Sequence, residues 1–281
     1  MTGRPPLAVV LLLLLVAACG HPSPTVLPGA TPQPPLSKSP LAPPAGLVSA
    51  GHLTVGADYH FAPQSYVDPA GHAAGFDIDL AGALASQMKL KLTVLNIDDP
   101  SIVSGLMQQN HRYDMGVNQP VPTVTAAGAV GLPYFESGQS ILVRSGETRL
   151  KDLNGICGRR VGAAPGGQGE LAVTGVNDAA CHDHKAQVLA ASDDVAAARD
   201  VASGKLDALV DDYPAAVLLA RTTPGTRVVP KHFLPVQLDL VFPAGGEATR
   251  DAVGRAFDRL RKDGTYKRLL DKWGLGEAAI H

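Results

Sequence analysis

The order of strand-like and helix-like segments constrains this chain most. Residues 52–57 alternate like a strand, and residues 73–89 place apolar side chains at helical spacing. The alternation continues through a further strand, helix and strand, at 90–97, 100–109 and 113–118. A β-α-β-α-β order predicts a parallel sheet covered by helices.

The same order begins again after Ser145. Three predicted strands alternate with three predicted helices, at 160–164, 169–176, 187–190, 193–203, 208–211 and 213–221. A last strand and two amphipathic helices follow, at 236–242, 249–262 and 265–273. Two α/β units therefore follow one another, and no fixed sequence repeat marks them as tandem copies.

The N-terminal residues are typical of an exported lipoprotein. Arg4 precedes an unbroken apolar run from Leu7 to Ala18, which is shorter than the roughly 20 residues that a membrane-spanning helix needs. Small residues then precede Cys19, as in a lipobox. We interpret residues 1–18 as a lipoprotein signal peptide and Cys19 as the acylated anchor on the outer face of the cell membrane. An ordinary signal peptide with an unmodified cysteine is the alternative.

A Pro-rich segment follows the predicted anchor. Residues 19–50 combine prolines with Ser, Thr, Gly and Ala and carry almost no charge, a composition that does not bury a core. We predict a tether here, and the alternative is a Pro-rich ligand for another domain. The whole chain has 24 Lys and Arg residues against 26 Asp and Glu residues, which argues against nucleic-acid binding.

The cysteines agree with export. If Cys19 carries lipid, Cys157 and Cys181 remain as an even pair in an oxidising compartment, and we predict a disulfide between them. Two free thiols are one alternative. A metal cluster in Cys181-His182-Asp183-His184 is another, although we expect neither a metal nor a cofactor.

Six segments carry a family resemblance because they occur in order and at sensible spacing: LTVGADYHFAP, GHAAGFDIDLAGALA, LPYFESGQSILV, LNGICGRRVGAAPGGQG, SGKLDALVDDYPAA and LRKDGTYKRLLDKWGL. Over residues 51–274 the chain resembles family 3 of the bacterial extracellular solute-binding proteins. Some members of that family carry a bridge where Cys157 and Cys181 lie. The family mostly carries amino acids to the membrane subunits of ABC importers.

The resemblance implies a two-lobed α/β fold of the periplasmic-binding-protein type II class. Two parallel-rich sheets with helices on both faces are then joined by a two-strand hinge. We expect lobe 1 to comprise residues 51–136 and 238–281, and lobe 2 to comprise residues 142–230. The hinge segments lie near 137–141 and 231–237. A monomer then closes around a small solute held between its lobes.

The resemblance also assigns binding residues in lobe 1. Phe61 covers the solute, Asp58 contacts its polar end, and Asn118, Gln119 and Thr123 offer hydrogen bonds at the end of the third strand. Each has a structural alternative. Asp58 can cap a turn, Phe61 can be a core aromatic, and the polar groups after the third strand can satisfy loop backbone.

In lobe 2 the resemblance assigns the turn formed by Gly166, Gly167 and Gln168, where backbone N–H groups at a helix N-terminus favour an anion. Tight-turn geometry alone also explains the glycines. Asp212 matches the acid that holds the solute's ammonium group. The adjacent Asp211 leaves the register open, and either acid could cap a helix.

One departure from the family is informative. Members that bind α-amino acids carry an Arg three positions after the Thr at the end of the third strand, and this Arg grips the α-carboxylate. Here Ala126 occupies that position, and no Arg or Lys occurs in residues 113–143. We therefore expect a cationic or amino-bearing solute without a conventional α-carboxylate, such as an amine, a quaternary ammonium compound or an amino sugar derivative.

Two other functions are compatible with the same fold. A cleft enzyme, such as a dehydratase or a lytic transglycosylase, would use a carboxylic acid as general acid. No nucleophile–base pair occurs at a suggestive spacing, so we expect a binding protein and not an enzyme. A sensor or adaptor lipoprotein with a vestigial cleft is the other alternative.

The anchor assignment is directly testable. Mass spectrometry of the mature protein should find Cys19 at the N-terminus with added acyl mass, and a Cys19→Ser variant should lose that mass and the membrane fraction. An unmodified N-terminus at another residue would contradict the assignment.

Overall fold

The computed structural model describes residues 39–280. The predicted signal peptide, Cys19 and residues 20–38 of the predicted tether lie outside the described residues. The rest of the tether packs on the folded domain, since the Leu41 N–H donates to the Gln87 carbonyl at 2.8 Å. The Val48 N–H donates to Asp114 Oδ1 at 2.7 Å. Within residues 39–280 no helix is both long enough and apolar enough to cross a membrane.

The described chain alternates strands and helices, as predicted. The strands are β1 (His52–Ala57), β2 (His60–Phe61), β3 (Ser65–Val67), β4 (Ala73–Ala74), β5 (Lys91–Asn96), β6 (Met115–Pro120), β7 (Val130–Arg144), β8 (Arg160–Ala163), β9 (Gln187–Ala190), β10 (Ala208–Asp212), β11 (Thr226–Val228) and β12 (Phe233–Phe242). The helices are α1 (Phe76–Gln87), α2 (Asp99–Leu106), α3 (Val121–Ala126), α4 (Gln168–Ala179), α5 (Asp194–Ser203), α6 (Tyr213–Thr222), α7 (Glu247–Lys262) and α8 (Thr265–Trp273).

The strands form one mixed sheet of nine strands in the order β5-β1-β6-β12-β7-β10-β8-β9, with β11 paired to β7. In the first lobe β1 lies parallel between β5 and β6, and in the second lobe β8 lies parallel between β9 and β10. The predicted parallel groups are therefore confirmed. They are joined in a single curled sheet because β12 pairs with β6 of the first group, β7 pairs with β10 of the second group, and β7 and β12 pair with each other.

The two long strands connect the lobes. β12 runs antiparallel to β7, with Leu238 opposite Phe135 and Val236 opposite Ser137. On its other edge β12 pairs with β6, and the C-terminal part of β7 pairs with β10 and β11. The predicted hinge segment 137–141 lies within β7, and the segment 231–237 overlaps the start of β12, which begins at Phe233. The exact lobe limits stay a prediction.

Each lobe has its own apolar core. In the first lobe Phe76 of α1 packs between Tyr134, Phe135 and Tyr266, with ring centroids 5.3 to 6.3 Å apart. The second core is smaller and gathers β-branched residues of three neighbouring strands, Ile141, Val161 and Val210. The first core also includes Tyr213 and Val217 of α6, so this helix of the second lobe packs against the first lobe.

The predicted disulfide is confirmed. Cys157 and Cys181 are bonded with their Cα atoms 5.2 Å apart, which excludes the free thiols and removes the thiol from the alternative metal cluster. No group of three His, Cys, Asp or Glu residues suited to a metal occurs between residues 39 and 280. The bond fastens the segment before β8 to the end of α4 in the second lobe.

Removing both cysteines should destabilise the second lobe. The bond closes a loop with a sequence separation of 24 residues, which corresponds to about 3 kcal/mol in the chain-entropy model. A Cys157→Ala/Cys181→Ala variant should lose about that much free energy of unfolding in urea titrations, and reduced wild-type protein should behave alike. Equal stability of the variant and the oxidised wild type would contradict the expectation.

Candidate functional site

A cavity of about 590 Å³ lies between the two lobes. Its floor is formed by the strands that connect them, through Ser137 and Gln139 of β7 and the 234–238 segment of β12. Residues of the first lobe form one wall and residues around the start of α6 form the other. The volume falls in the range of about 300 to 1,000 Å³ that is usual for small-molecule sites.

Three of the eight exposed large apolar side chains of the described residues line this cavity. Phe61, Leu234 and Val236 are 40%, 50% and 40% exposed, and all three line it. The register of β12 against β7 shifts between Phe233 and Val236, and Leu234 adopts a positive φ of 50° within the bulge. Large exposed apolar residues that gather in one cleft indicate a surface that a ligand covers.

The first lobe presents the carboxylate of Asp99 to the cavity. Asp99 is the first residue of α2, and its Oδ1 accepts a hydrogen bond of 2.8 Å from Nε2 of Gln119. Gln119 is only 2% exposed, so its amide is fixed in the protein. This pairing orients the carboxylate and leaves Oδ2 without a hydrogen-bond partner among the described residues.

Asp58 holds Asp99 in place by accepting a hydrogen bond from its backbone. Its Oδ2 accepts the Asp99 N–H at 2.8 Å, and its Oδ1 accepts the His60 N–H at 3.0 Å. Partial burial acts to raise the pKa of Asp58, but these backbone hydrogen bonds, together with the hydrogen bond and charge of the His60 side chain, outweigh burial and hold the pKa below its ordinary value. Asp58 does not line the cavity. Its position fits the turn-capping alternative.

The second lobe presents Asp212, the last residue of β10. Its Oδ1 accepts a hydrogen bond from Nε2 of Gln139, which is 7% exposed and lies on β7. Asp211 does not line the cavity, so the structure places Asp212 and not Asp211 at the wall. Burial, followed by repulsion from Asp194 and Asp212, raises the pKa of Asp211 to about 7.

Asn118 lies at the cavity wall at the end of β6 in the left-handed conformation, with φ of 60°. Its Oδ1 accepts from Nε2 of Gln64 at 3.0 Å, and its backbone N–H donates to the Tyr134 hydroxyl at 3.1 Å. The same hydroxyl donates to Oδ1 of the fully buried Asp77 at 2.7 Å. These hydrogen bonds form a buried relay from Asp77 through Tyr134 that fixes the backbone of Asn118 at the cavity wall.

The glycine turn before α4 is partly occupied by the chain itself. The Gly166 N–H donates to Oε2 of Glu170 at 2.7 Å, and Gly166 has a positive φ of 72°. Gln168 is the only residue of the predicted Gly166-Gly167-Gln168 turn that lines the cavity. The Glu170 carboxylate takes a place where an anionic ligand group was expected.

The cavity has no positively charged wall. Its lining residues, all within the described part of the chain, include no Lys, Arg or His. Ala126, where the family pattern has an Arg, lies exposed on α3, and so does Thr123. The cavity is therefore lined by acidic and apolar side chains, together with the amide groups of Gln64, Asn118 and Gln139.

The structure brings together four of the predicted binding residues, Phe61, Asn118, Gln168 and Asp212. It places five others outside the cavity lining, namely Asp58, Gln119, Thr123, Gly166 and Gly167. Sequence reasoning missed Gln64, Asp99 and Gln139. A signal for Asp99 existed, because it follows β5, and the carboxyl ends of parallel strands are where ligands bind in such sheets.

Comparison with known proteins identifies the family. The model of the bacterial extracellular solute-binding proteins, family 3, matches residues 53–276. The probable amino-acid-binding protein YxeM of Bacillus subtilis (strain 168) is 26% identical, over 79% of this chain and 83% of that protein. The cyclohexadienyl dehydratase of Pseudomonas aeruginosa PAO1 is 27% identical, over 81% of this chain and 78% of that enzyme.

Solved structures agree with the fold. The ancestral cationic amino acid solute binding protein AncCDT-1 is 26% identical, with a TM-score of 0.69. The match covers 80% of this chain and 96% of that chain. The predicted two-lobed α/β fold is therefore confirmed.

The buried relay generates a prediction for pH dependence. Burial raises the pKa of Asp77 from its ordinary 3.8 to about 7, and hydrogen bonds from Tyr134 and Ser65 only partly offset this. Because the native state binds a proton that the unfolded chain has released, Asp77 makes the free energy of unfolding fall as pH rises from about 4 to about 7.

An Asp77→Asn variant should lose this contribution. Urea titrations between pH 5 and pH 8 should show that the free energy of unfolding of the variant increases relative to that of wild type as pH rises. Asp211 titrates in both proteins and cancels in the difference. The exposed Asp178→Asn variant serves as control and should track wild type. A difference between Asp77→Asn and wild type that is constant with pH would contradict the assignment.

Proposed function

Because the chain belongs to family 3 of the bacterial extracellular solute-binding proteins, we propose that it captures a small cationic solute outside the cell and delivers it to an ABC importer. One observation indicates the charge that the solute carries. The cavity between the lobes is faced by the carboxylates of Asp99 and Asp212 and by no basic side chain of the described residues. A positively charged group complements such a wall.

The solute lacks a free α-carboxylate. A carboxylate in this cavity would meet two acids and would find no guanidinium, since Ala126 stands where the family pattern has an Arg. The N-terminus of α4 offers little compensation, because the Gly166 N–H already donates to Glu170. The likeness to a protein described as a cationic amino acid solute binding protein supports the cationic part of the proposal.

Capture operates through lobe closure. Asp99 and Phe61 lie on one lobe and Asp212 on the other, so a solute completes its contacts only when the lobes approach each other. The difference in affinity between the closed and the open form then shifts the population toward the closed form. Importer subunits recognise that closed shape. Acylation at Cys19 and the Pro-rich segment keep the domain beside the membrane.

A cleft enzyme is the second candidate, because the related cyclohexadienyl dehydratase covers most of this chain. A dehydratase requires a carboxylic acid that donates a proton to the leaving group. The two cavity acids give the chain groups of the right type. Incubation with an amine that binds, followed by mass spectrometry, separates the two functions, since a binding protein returns its solute unchanged.

Asp212→Asn should abolish capture without unfolding the domain. A thermal-shift screen of amines, amino sugars and amino acids against residues 39–281 should first identify stabilising amines. The variant should then bind them about ten- to a hundredfold more weakly, because a charged hydrogen bond is lost.

Asp178→Asn in the same lobe is the matched control, since Asp178 is exposed, pairs with Lys185 and lies outside the cavity lining. Its affinity should equal that of wild type. Tight binding of a standard amino acid, or unchanged affinity in Asp212→Asn, would refute the proposed chemistry. Failure of every compound to bind would favour an adaptor with a vestigial cleft.

A further inference from the structure

The two cavity acids are held in the same way on opposite lobes. Asp99 accepts from the amide of buried Gln119, and Asp212 accepts from the amide of buried Gln139. In each pair the glutamine binds Oδ1 and leaves Oδ2 free of partners among the described residues. The chain thus presents two oriented, half-occupied carboxylates to one cavity.

Neither acid has a counter-charge among the described residues. Of the ion pairs within residues 39–280, none includes Asp99 or Asp212. The amide of a glutamine orients a carboxylate but does not neutralise it. When water is expelled from the cavity, each uncompensated carboxylate carries a desolvation cost that only a positive charge offsets well.

Apolar side chains form a large part of the cavity that holds the two acids, beside the amide groups of Gln64, Asn118 and Gln139. Phe61, Pro214, Leu234 and Val236 line the same cavity, and the ring of Phe61 is accessible to a cation or to a chain of methylene groups. Apolar walls between two charged ends match a solute with a hydrocarbon spacer between two cationic ends. Methylene groups buried there contribute about 0.8 kcal/mol each.

We propose that the solute is a dication, a linear diamine or a polyamine, that places one primary ammonium group on Asp99 and a second on Asp212. This inference rests on the proposed function, and it adds Asp99 as a specificity-determining residue of the first lobe. Each ammonium group donates to the free Oδ2, and the spacer lies along the apolar walls.

The other cationic solutes fit this arrangement less well. A monoamine neutralises one acid and leaves the other uncompensated in the closed cleft. A quaternary ammonium group has no N–H to donate to either carboxylate. An ω-amino acid would set its own carboxylate against Asp99 or Asp212.

Titration calorimetry on the mature chain tests the inference with three sets of probes. The first is the linear series from diaminopropane to diaminohexane, the second is the matched monoalkylamines, and the third is the matched ω-amino acids. One diamine should bind at least about tenfold more tightly than the monoamine of equal length, which corresponds to about 1.4 kcal/mol. The ω-amino acid should bind more weakly than the monoamine.

Variants then locate the two charges. Asp99→Asn and Asp212→Asn should each weaken the diamine about ten- to a hundredfold. Both variants keep the amide oxygen that Gln119 or Gln139 uses, so the cavity retains its shape. In the control variant Asp178→Asn, diamine affinity should equal that of wild type.

Salt adds an independent readout. Because the diamine makes two charged contacts and the monoamine one, the diamine should lose more affinity than the monoamine when ionic strength is raised. Circular dichroism of every variant verifies that the domain is folded. A variant that fails to fold is replaced by Asp99→Glu or Asp212→Glu, which keeps the charge and should shift preference toward a shorter spacer.

The possible results distinguish the dication proposal from the proposed function on which it rests. Equal affinity for diamine and monoamine, with no effect of Asp99→Asn, overturns the dication and leaves a cationic solute-binding protein. Binding of no amine by wild-type protein overturns both. A diamine preference that depends on both acids supports the inference.

Discussion

The antiparallel pairing of β7 with β12 is the constraint on which the rest of the structure depends. β12 pairs with β6 of the first lobe and β7 pairs with β10 of the second, so the β7–β12 pairing holds the lobes together and also forms the floor of the cavity. The bulge in β12 near Leu234 places an apolar side chain above that floor. The same hydrogen-bonded ladder therefore provides a mechanical connection and a binding surface.

Much of the fold could be predicted from the sequence because its main elements are long and periodic. The β-α-β order gave both parallel groups, and the cysteine pair gave the disulfide. The short strands β2 to β4 and the helix α3 carry too few residues for a period to be recognised. The full length of β7 was also missed, since its polar middle, around Glu136 and Gln139, interrupts the apolar pattern.

The candidate site was less predictable, because a carboxylate's role depends on what surrounds it. Asp58 follows β1 and matches a binding position, yet its oxygens accept backbone N–H groups, including that of Asp99. Asp58 therefore contributes to the site indirectly, because its carboxylate holds the start of α2, where Asp99 faces the cavity. Gln119 and Gln139 lie far from their acids in the sequence, and only the sheet brings each amide to its partner.

Under the proposed function, the two cavity acids would couple the choice of solute to the closure of the lobes. In an open form, water would solvate both carboxylates and screen their repulsion. Closure without a solute would bring the acids together and remove their water, so the empty closed form is unfavourable. A cation reverses both costs at once, and its charge decides whether the lobes close. Under the proposed function, a neutral or anionic compound of the right size would therefore fill the cavity and still fail to stabilise the form that an importer recognises.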